Sequence, residues 1–442
     1  MDASDTARLV HAQYARLPKT GKPQPGEWTI IAGVVLATAA APPRVVALGT
    51  GTKCLTATQI AHDATGESLH DAHAEVCARR ALRAFLLSEL SAVAQSSTSD
   101  VLQPIAAAGG FELKPDVRFI FYTSEPPCGD AAIFVDEGDD AIAERSAKRP
   151  RPSNADGDDS PPPPQQHRTG ARPAAAAAME AEAQSGGVVC TPGLVRTKPG
   201  RGVRTTCMSC SDKLARWHAL GIQGALLSTL LPAPIRLTTI VVGQPSSLAA
   251  LRRAVCRGQC AGGDTASSTA PQPPQLQSTS LRFEHALPAG ATDATHRPCS
   301  NSLVWAACGL SEALNGLSGK RLGANKRQPS PKHRSHVCKA VVLEAWHELV
   351  ALLPSPLVPA PLASLISDDA LRTRSYKQIK GLAIPYQQRK ATLLGPPGPL
   401  ADWLRAPNAC EAFVLCRPCA STSLASSTGS IACKESANRT PL

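Results

Sequence analysis

The feature that most limits the fold of this chain is a long stretch without aromatic residues. No Phe, Trp or Tyr occurs between Val135 and Arg216, and aromatic residues make up only 4% of the chain. The stretch contains acidic runs, a run of prolines, a run of alanines and a basic cluster at 148–152. Such a segment buries too little apolar surface to offset the entropy lost on ordering. We therefore expect residues 135–200 to be a disordered insertion.

Two further segments have the same low-complexity character. Residues 253–280 predict a second disordered insertion, and residues 407–442 predict a low-complexity tail. What remains, 1–134 together with 201–406, is long enough to form one domain with a proper interior.

Apolar periodicity in the remaining sequence predicts an α/β fold. Runs of apolar and β-branched residues predict buried strands, and apolar residues at helical spacing predict helices. The predicted strands are 28–36, 45–51, 117–122 and 222–228. The predicted helices are 5–17, 73–90, 211–220 and 337–353. Strands that alternate with helices indicate a sheet packed between helices.

Charge and cysteine content suggest a partner and a compartment. The formal net charge is +11 and the pI is about 9.1, which favours nucleic acid as partner, although a bound polyphosphate or a merely soluble basic protein would give the same balance. The 15 cysteines are odd in number, and we find neither an apolar signal region nor a stretch approaching the ~20 apolar residues of a membrane span. We expect no membrane association, a reducing compartment, and location in the nucleus, the cytoplasm or both.

Three short motifs together predict a zinc site. His73 and Glu75 lie two residues apart, and Cys128 and Cys210 follow at a distance. One histidine, two cysteines and a glutamate that is not a ligand are the components of a zinc deaminase. In that chemistry Glu75 transfers protons while three ligands leave a fourth position open for water.

The cysteine spacing leaves one alternative open. Zinc deaminases carry Pro-Cys-x-x-Cys, but Ala131 stands where the second thiol would be, so Cys210 is the next candidate. Cys207 lies three residues before Cys210, and this pair also resembles half of a structural zinc site.

Several motifs resemble the eukaryotic adenosine-to-inosine deaminases of RNA. The resemblance covers most of 5–134, 203–250 and 281–404. It is carried by Asp71-Ala72-His73-Ala74-Glu75-Val76, by Ser124-Glu125-Pro126-Pro127-Cys128-Gly129-Asp130-Ala131, and by 17–23, 27–29, 49–54, 79–80, 209–217 and 221–224. It implies a cytidine-deaminase-like three-layer α-β-α domain, with a mostly helical C-terminal extension that closes around an inositol polyphosphate.

The resemblance also implies site residues. His73, Cys128 and Cys210 would bind Zn²⁺, Glu75 would be catalytic, Asp71 would be linked through Lys213 to the polyphosphate, and Thr52 and Lys53 are candidate RNA contacts. A buried inositol hexakisphosphate would contact Arg79, Arg80, Lys213, Arg216, Trp217, Lys339, Tyr376, Lys380, Tyr386, Gln387, Lys390 and Trp403.

Within this family the sequence favours the tRNA-specific branch. We find no recognisable double-stranded-RNA-binding domain ahead of the catalytic domain, and the resemblance suggests the adenosine 3′ of the anticodon (tRNA position 37) of tRNA-Ala, with no obligate protein partner. Three alternatives remain open at this point: a double-stranded-RNA editor recruited by a partner, a non-catalytic binding protein that uses zinc and inositol phosphate structurally, and a deaminase of free nucleosides or of cytidine.

Overall fold

The computed structural model describes most of the chain. The described residues are 1–95, 98–105, 109–135, 166–167, 169–184, 190–200, 205–260, 271–288, 295–324, 330–367 and 370–415. The basic cluster at 148–152 lies outside them.

The described residues form a mixed α/β structure. The helices are α1 (Ala3–Ala15), α2 (Ala57–Ala61), α3 (Ala74–Ala94), α4 (Ala176–Gln184), α5 (Cys210–Leu220), α6 (Gly224–Leu227), α7 (Leu248–Cys256), α8 (Lys339–Leu352), α9 (Ala360–Ser367), α10 (Tyr376–Gly381) and α11 (Ile384–Leu394). The strands of the main sheet are β1 (Ile31–Ala37), β2 (Arg44–Thr50), β3 (Arg118–Thr123), β4 (Leu237–Gly243), β5 (Gln275–Thr279), β6 (Asn301–Ala306), β7 (Leu310–Asn315) and β8 (Lys320–Arg321).

The main sheet has eight strands in the order β5-β4-β3-β1-β2-β6-β7-β8. Strands β3, β4 and β5 are parallel, and the remaining pairs are antiparallel. Both faces of the sheet are buried. Alternate residues of β1 point to opposite sides, and residues on both sides are buried. Ala32 and Val34 pack in the core that contains α3 and α8, whereas Ile31 and Val35 pack against α1. The expected sheet between helices is therefore present.

Short β pairs outside this sheet position the loops. They are Glu27–Trp28 with Arg297–Pro298, Thr52–Cys54 with Asp71–His73, Leu102–Pro104 with Phe111–Leu113, Phe134–Val135 with Gln166–His167, and Arg172–Pro173 with Arg196–Thr197. The pair at 52–54 and 71–73 leads directly into α3 and so fixes where that helix begins.

Strand β2 lies very close to helix α3. A Cβ on Gly49 would stand 2.4 Å from the backbone nitrogen of Ala78 and 2.4 Å from Cβ of Cys77. Only glycine fits at such a close approach of two backbones. This contact holds the start of α3 firmly against the sheet.

The expected insertion at 135–200 is wrong over 166–167, 169–184 and 190–200. Arg172–Pro173 pairs with Arg196–Thr197, and α4 lies between them. Arg196 is fully buried, forms an ion pair with Glu182, and donates its backbone N–H to Asp212 Oδ2 at 2.9 Å. Composition indicates only how much apolar surface a segment can bury, whereas this segment is held in place by hydrogen bonds between charged groups. Residues 136–165, 168 and 185–189 lie outside the described part of the chain.

The expected insertion at 253–280 is wrong at both ends, and the expected tail begins too early. Residues 253–256 complete α7, and Gln275–Thr279 is a parallel strand of the main sheet. Residues 407–415 also pack: Phe413 stacks on Tyr376 with ring centroids 5.4 Å apart, and Glu411 accepts from Lys380 at 2.6 Å. Residues 261–270 and 416–442 lie outside the described residues.

One predicted strand is a helix. Residues 222–228 contain the helix α6. The prediction failed because a short run of apolar residues has no periodicity that distinguishes a buried strand from a buried helical turn. No helix in the described ranges has both the length and the apolar character that crossing a membrane requires.

Candidate active site

The predicted zinc ligands meet where α3 begins, where α5 begins and in the loop after β3. His73 is the N-cap of α3, Cys210 is the first residue of α5, and Cys128 follows the end of β3. One ligand atom from each lies within 4.8 Å of the other two, and Cys210 Sγ is 3.7 Å from His73 Nδ1. Zinc–ligand distances of about 2.0–2.3 Å place the ligands of a tetrahedral site about 3.5–4 Å apart. The donor set and its spacing therefore fit a zinc ion.

The local electrostatics favour a thiolate at this position. Hydrogen bonding with Cys210 lowers the pKa of Cys128, and Lys198 and His73 add to that effect. The backbone N–H of Cys210 also donates to Cys128 Sγ at 3.3 Å. A thiolate stabilised in this way is the form that zinc binds.

Glu75 is buried directly beside these ligands. It is only 2% exposed, and its Oε2 has no hydrogen-bond partner. Burial, with a contribution from Cys128, raises the pKa of its carboxyl group. A buried carboxyl group with a free oxygen and a raised pKa is suited to exchange a proton with a bound molecule.

Cys207 does not join the other ligands. Its Sγ donates to the backbone carbonyl of His70 at 3.4 Å, and its thiol interacts with Cys54. Within the described part of the chain, the only cluster of metal-binding side chains that includes Cys210 is the one with His73 and Cys128. The geometry therefore argues against a structural zinc site built on Cys207 and Cys210.

Two lysines connect the metal ligands to a buried carboxylate. Lys198 Nζ lies 2.9 Å from Asp71 Oδ1 and 3.3 Å from Cys210 Sγ. Lys213 binds the other oxygen of Asp71, a contact that the family resemblance implied. Burial alone would raise the pKa of Asp71, but Lys198 and Lys213 hold it well below its usual range. Asp71 is thus ionised and orients both lysines.

A large cationic cavity lies on the other side of Asp71. Its volume is about 570 Å³, and Asp71 and Lys213 both line it. Every residue that the resemblance assigned to the inositol phosphate lines this cavity. These residues come from α3, α5, α8, α10 and α11 and from Trp403, so sequence reasoning brought together positions that are far apart in the chain.

The cavity concentrates positive charge without enough acid to balance it. Burial and the neighbouring Arg83 lower the pKa of Arg79 to about 9, and the same two causes lower that of Arg80. The Nε atoms of Arg79 and Arg83 are buried and have no hydrogen-bond partner. Buried, unpaired cations are costly, so this arrangement fits a polyanionic ligand.

Aromatic rings support several of these cations. Arg79 lies over Trp217 at 5.0 Å, Arg216 lies over Trp403 at 4.7 Å, and Lys380 Nζ lies 4.9 Å from the centroid of the Tyr376 ring. Such stacking orders the long side chains before a ligand binds.

Sequence reasoning missed several residues around the site. Lys198 and Glu411 lie in segments expected to be disordered or of low complexity, and Arg83 was not singled out although it is one turn beyond Arg79 on α3. The buried Val195 was the available apolar signal near Lys198. Thr52 is the β partner of His73, so Thr52 and Lys53 flank the ligand cluster.

The chain is similar in sequence to known proteins. A family model described as the adenosine-deaminase (editase) domain matches residues 47–407. A mouse protein named tRNA-specific adenosine deaminase 1 is 28% identical, over 92% of this chain and 98% of its own length. A Drosophila melanogaster protein of the same name is 32% identical, over 87% of this chain and 90% of its own length. A mouse double-stranded RNA-specific adenosine deaminase is 32% identical, over 48% of this chain and 17% of its own length.

The family model spans the ligand cluster, Glu75 and nearly all of the cavity wall, and the tRNA-specific relatives match along most of the chain. The chain therefore belongs to the adenosine-deaminase (editase) family and is a hydrolase.

Proposed function

We propose that the chain deaminates adenosine to inosine in tRNA in a zinc-dependent reaction. The observation that carries this proposal is the convergence of His73, Cys128 and Cys210 beside the unpartnered oxygen of Glu75. A zinc ion held by these three residues would supply a water of lowered pKa for attack on C6 of adenine.

The protein's own residues have separate roles in this reaction. Glu75 takes one proton from the attacking water and delivers it to the ring nitrogen, and then passes the second proton of that water to the leaving amine, which departs as ammonia. Asp71 and Lys198 hold the thiol of Cys210 in place through the contacts described above. Thr52 and Lys53, beside His73, contact the RNA that presents the flipped base.

We infer that tRNA, rather than duplex RNA, is the substrate. The relatives named tRNA-specific match this chain along 90–98% of their own length, whereas the relatives named double-stranded-RNA-specific match along 17–54% of theirs. The predicted target is the adenosine at tRNA position 37 of tRNA-Ala.

The substrate proposal is tested by offering the purified protein tRNA-Ala, a long RNA duplex and free adenosine. Sequencing should detect inosine at position 37 of the tRNA only, with much less conversion of the duplex and none of the nucleoside. Efficient deamination of the duplex but not of the tRNA would overturn the tRNA assignment and leave the deaminase assignment standing.

We further propose that the cationic cavity holds inositol hexakisphosphate as a buried structural ligand. The clustered Arg79, Arg80 and Arg83, of which Arg79 and Arg83 have an unpaired Nε, and the stacked rings support a ligand with many phosphate groups. Acid extraction of purified protein should release about one inositol hexakisphosphate per chain, detected by mass spectrometry. Protein that is folded and active but yields no inositol phosphate would refute this part.

A further inference from the structure

Two arginines and a neighbouring histidine lie outside the large cavity. Arg236 immediately precedes β4, His218 lies near the end of α5, and Arg389 lies on α11. The lining of the large cavity includes Lys390 and Trp217, the direct sequence neighbours of Arg389 and His218, but not these residues themselves. The two groups of side chains therefore face different sides of α5 and α11.

The elements that carry these side chains pack together, because α5 and α11 share one apolar cluster and the backbone N–H of Ile222, just after α5, donates to the carbonyl of Ile235 at 2.9 Å. Burial lowers the pKa of Arg236, and the charge of Arg389 lowers it further. Arg236 in turn contributes to the lowered pKa of His218, whose Nε2 lies 3.5 Å from Cys260 Sγ. Three separate elements thus converge on one small region.

Buried nitrogen donors in this region have no acceptor. They are Arg236 Nε, Arg389 Nε and Arg389 Nη2, whereas the His218 ring already hydrogen-bonds the backbone of Gln272. No carboxylate in the described ranges forms an ion pair with Arg236 or Arg389. Nε and Nη2 form one edge of a guanidinium group, which binds two oxygens of a single oxyanion. Leaving such donors unpaired and buried is costly, so the arrangement calls for an acceptor.

Neither His218 nor Cys260 supplies the missing negative charge. Burial lowers the pKa of His218 to about 4 against a smaller opposite effect of the Gln272 carbonyl, so its ring is neutral at pH 7. Hydrogen bonding with Cys256 and burial raise the pKa of Cys260, which keeps that thiol protonated.

We propose that Arg236 and Arg389, beside His218, form a binding site for an oxyanion of phosphate chemistry, which is either a phosphodiester of bound RNA or a free phosphate ion. The site is remote from the metal ligands, because Arg236 lies at the start of β4, whereas Cys128 follows the end of the parallel strand β3. A strand of seven residues spans about 23 Å at ~3.3 Å per residue. A bound anion therefore does not contact the reacting base.

The test compares the zinc-loaded parent with R236Q, R389Q and the matched control K390Q, whose lysine faces the large cavity. Thermal unfolding is followed with inorganic phosphate and with chloride at equal ionic strength. The parent and K390Q should gain several degrees from phosphate specifically, and R236Q and R389Q should lose most of that gain. A gain kept in R389Q but lost in K390Q would overturn the proposal, because phosphate would then bind in the large cavity.

Binding of tRNA at several salt concentrations distinguishes the two sources. If the anion belongs to RNA, R389Q should weaken tRNA binding and reduce the slope of log K against log salt by about 1, without changing the deamination rate of bound tRNA. If it is a free ion, R389Q should bind tRNA like the parent while losing the phosphate effect. No phosphate-specific gain in the parent, together with unchanged tRNA binding by both arginine variants, would overturn the proposal.

Discussion

Replacing Lys198 with methionine tests whether residues 190–200 support the candidate metal ligands. The change keeps most of the side-chain volume and removes the ammonium group that contacts Asp71 Oδ1 at 2.9 Å and Cys210 Sγ at 3.3 Å. Lys198 is 2% exposed and Asp71 is 5% exposed, so the variant leaves a buried carboxylate with Lys213 as its remaining cation.

The magnitude follows from these contacts. Removing one partner of a buried ion pair costs about 3–5 kcal/mol, and we expect the lower end, about 3 kcal/mol, because Lys213 still pairs with Asp71. With a urea m-value of about 3 kcal/mol/M, the unfolding midpoint should fall by about 1 M. Loss of the cation beside Cys210 should also weaken zinc binding at least ~10-fold.

Urea unfolding and competition with a zinc chelator measure the two effects. The control is Lys320→Met, which removes an ion pair with Glu67 at 3.4 Å between partly exposed side chains and should cost less than about 1 kcal/mol. If Lys198→Met unfolded at the same urea concentration as the parent and kept its zinc affinity, the proposed support of Cys210 through Lys198 would be wrong.

Two further predictions concern the fold. Gly49→Ala should destabilise by at least ~3 kcal/mol in urea unfolding, since its Cβ would stand 2.4 Å from the backbone of α3; a loss under ~1 kcal/mol would contradict that contact. Burial lowers the pKa of His11 to about 4, so the unfolded state binds the extra proton and stability should fall as pH drops from about 6.5 toward 4. His11→Gln should flatten this dependence, and an unchanged pH profile would refute the assignment.

The candidate zinc ligands and Glu75 could be predicted from the sequence because they lie in short motifs at the boundaries of local elements. His73 and Glu75 flank the start of α3, whose apolar residues recur at helical spacing. Cys128 and Cys210 each follow a recognisable boundary of a strand or helix. In each case the short motif lies within a few residues of the element boundary that the sequence predicts.

The anchoring contacts could not be predicted in this way. Lys198, Arg196 and Glu411 lie in segments poor in aromatic residues, and each is held by a charged partner elsewhere in the chain. Apolar periodicity carries no information on such pairs, because one ion pair between distant residues leaves no repeating pattern. The strand β5 was missed for a related reason, since its side chains are mostly polar or partly exposed at the sheet edge.

The proposed anion site shows the same limit. Arg389 and Lys390 are adjacent basic residues, and sequence alone does not tell which of the two faces the large cavity. In the helix α11 adjacent side chains point about 100° apart around the helix axis, so the two cations face different sites.

The most direct test of the account is inosine formation by Glu75→Ala, with zinc measured in the same sample. If Glu75 carries the proton transfers, this variant and a Glu67→Ala control should both retain about one zinc per chain. Only the parent and the control should produce inosine in tRNA. Equal inosine formation by Glu75→Ala would contradict the central claim that the buried carboxylate beside the metal ligands carries the proton transfers.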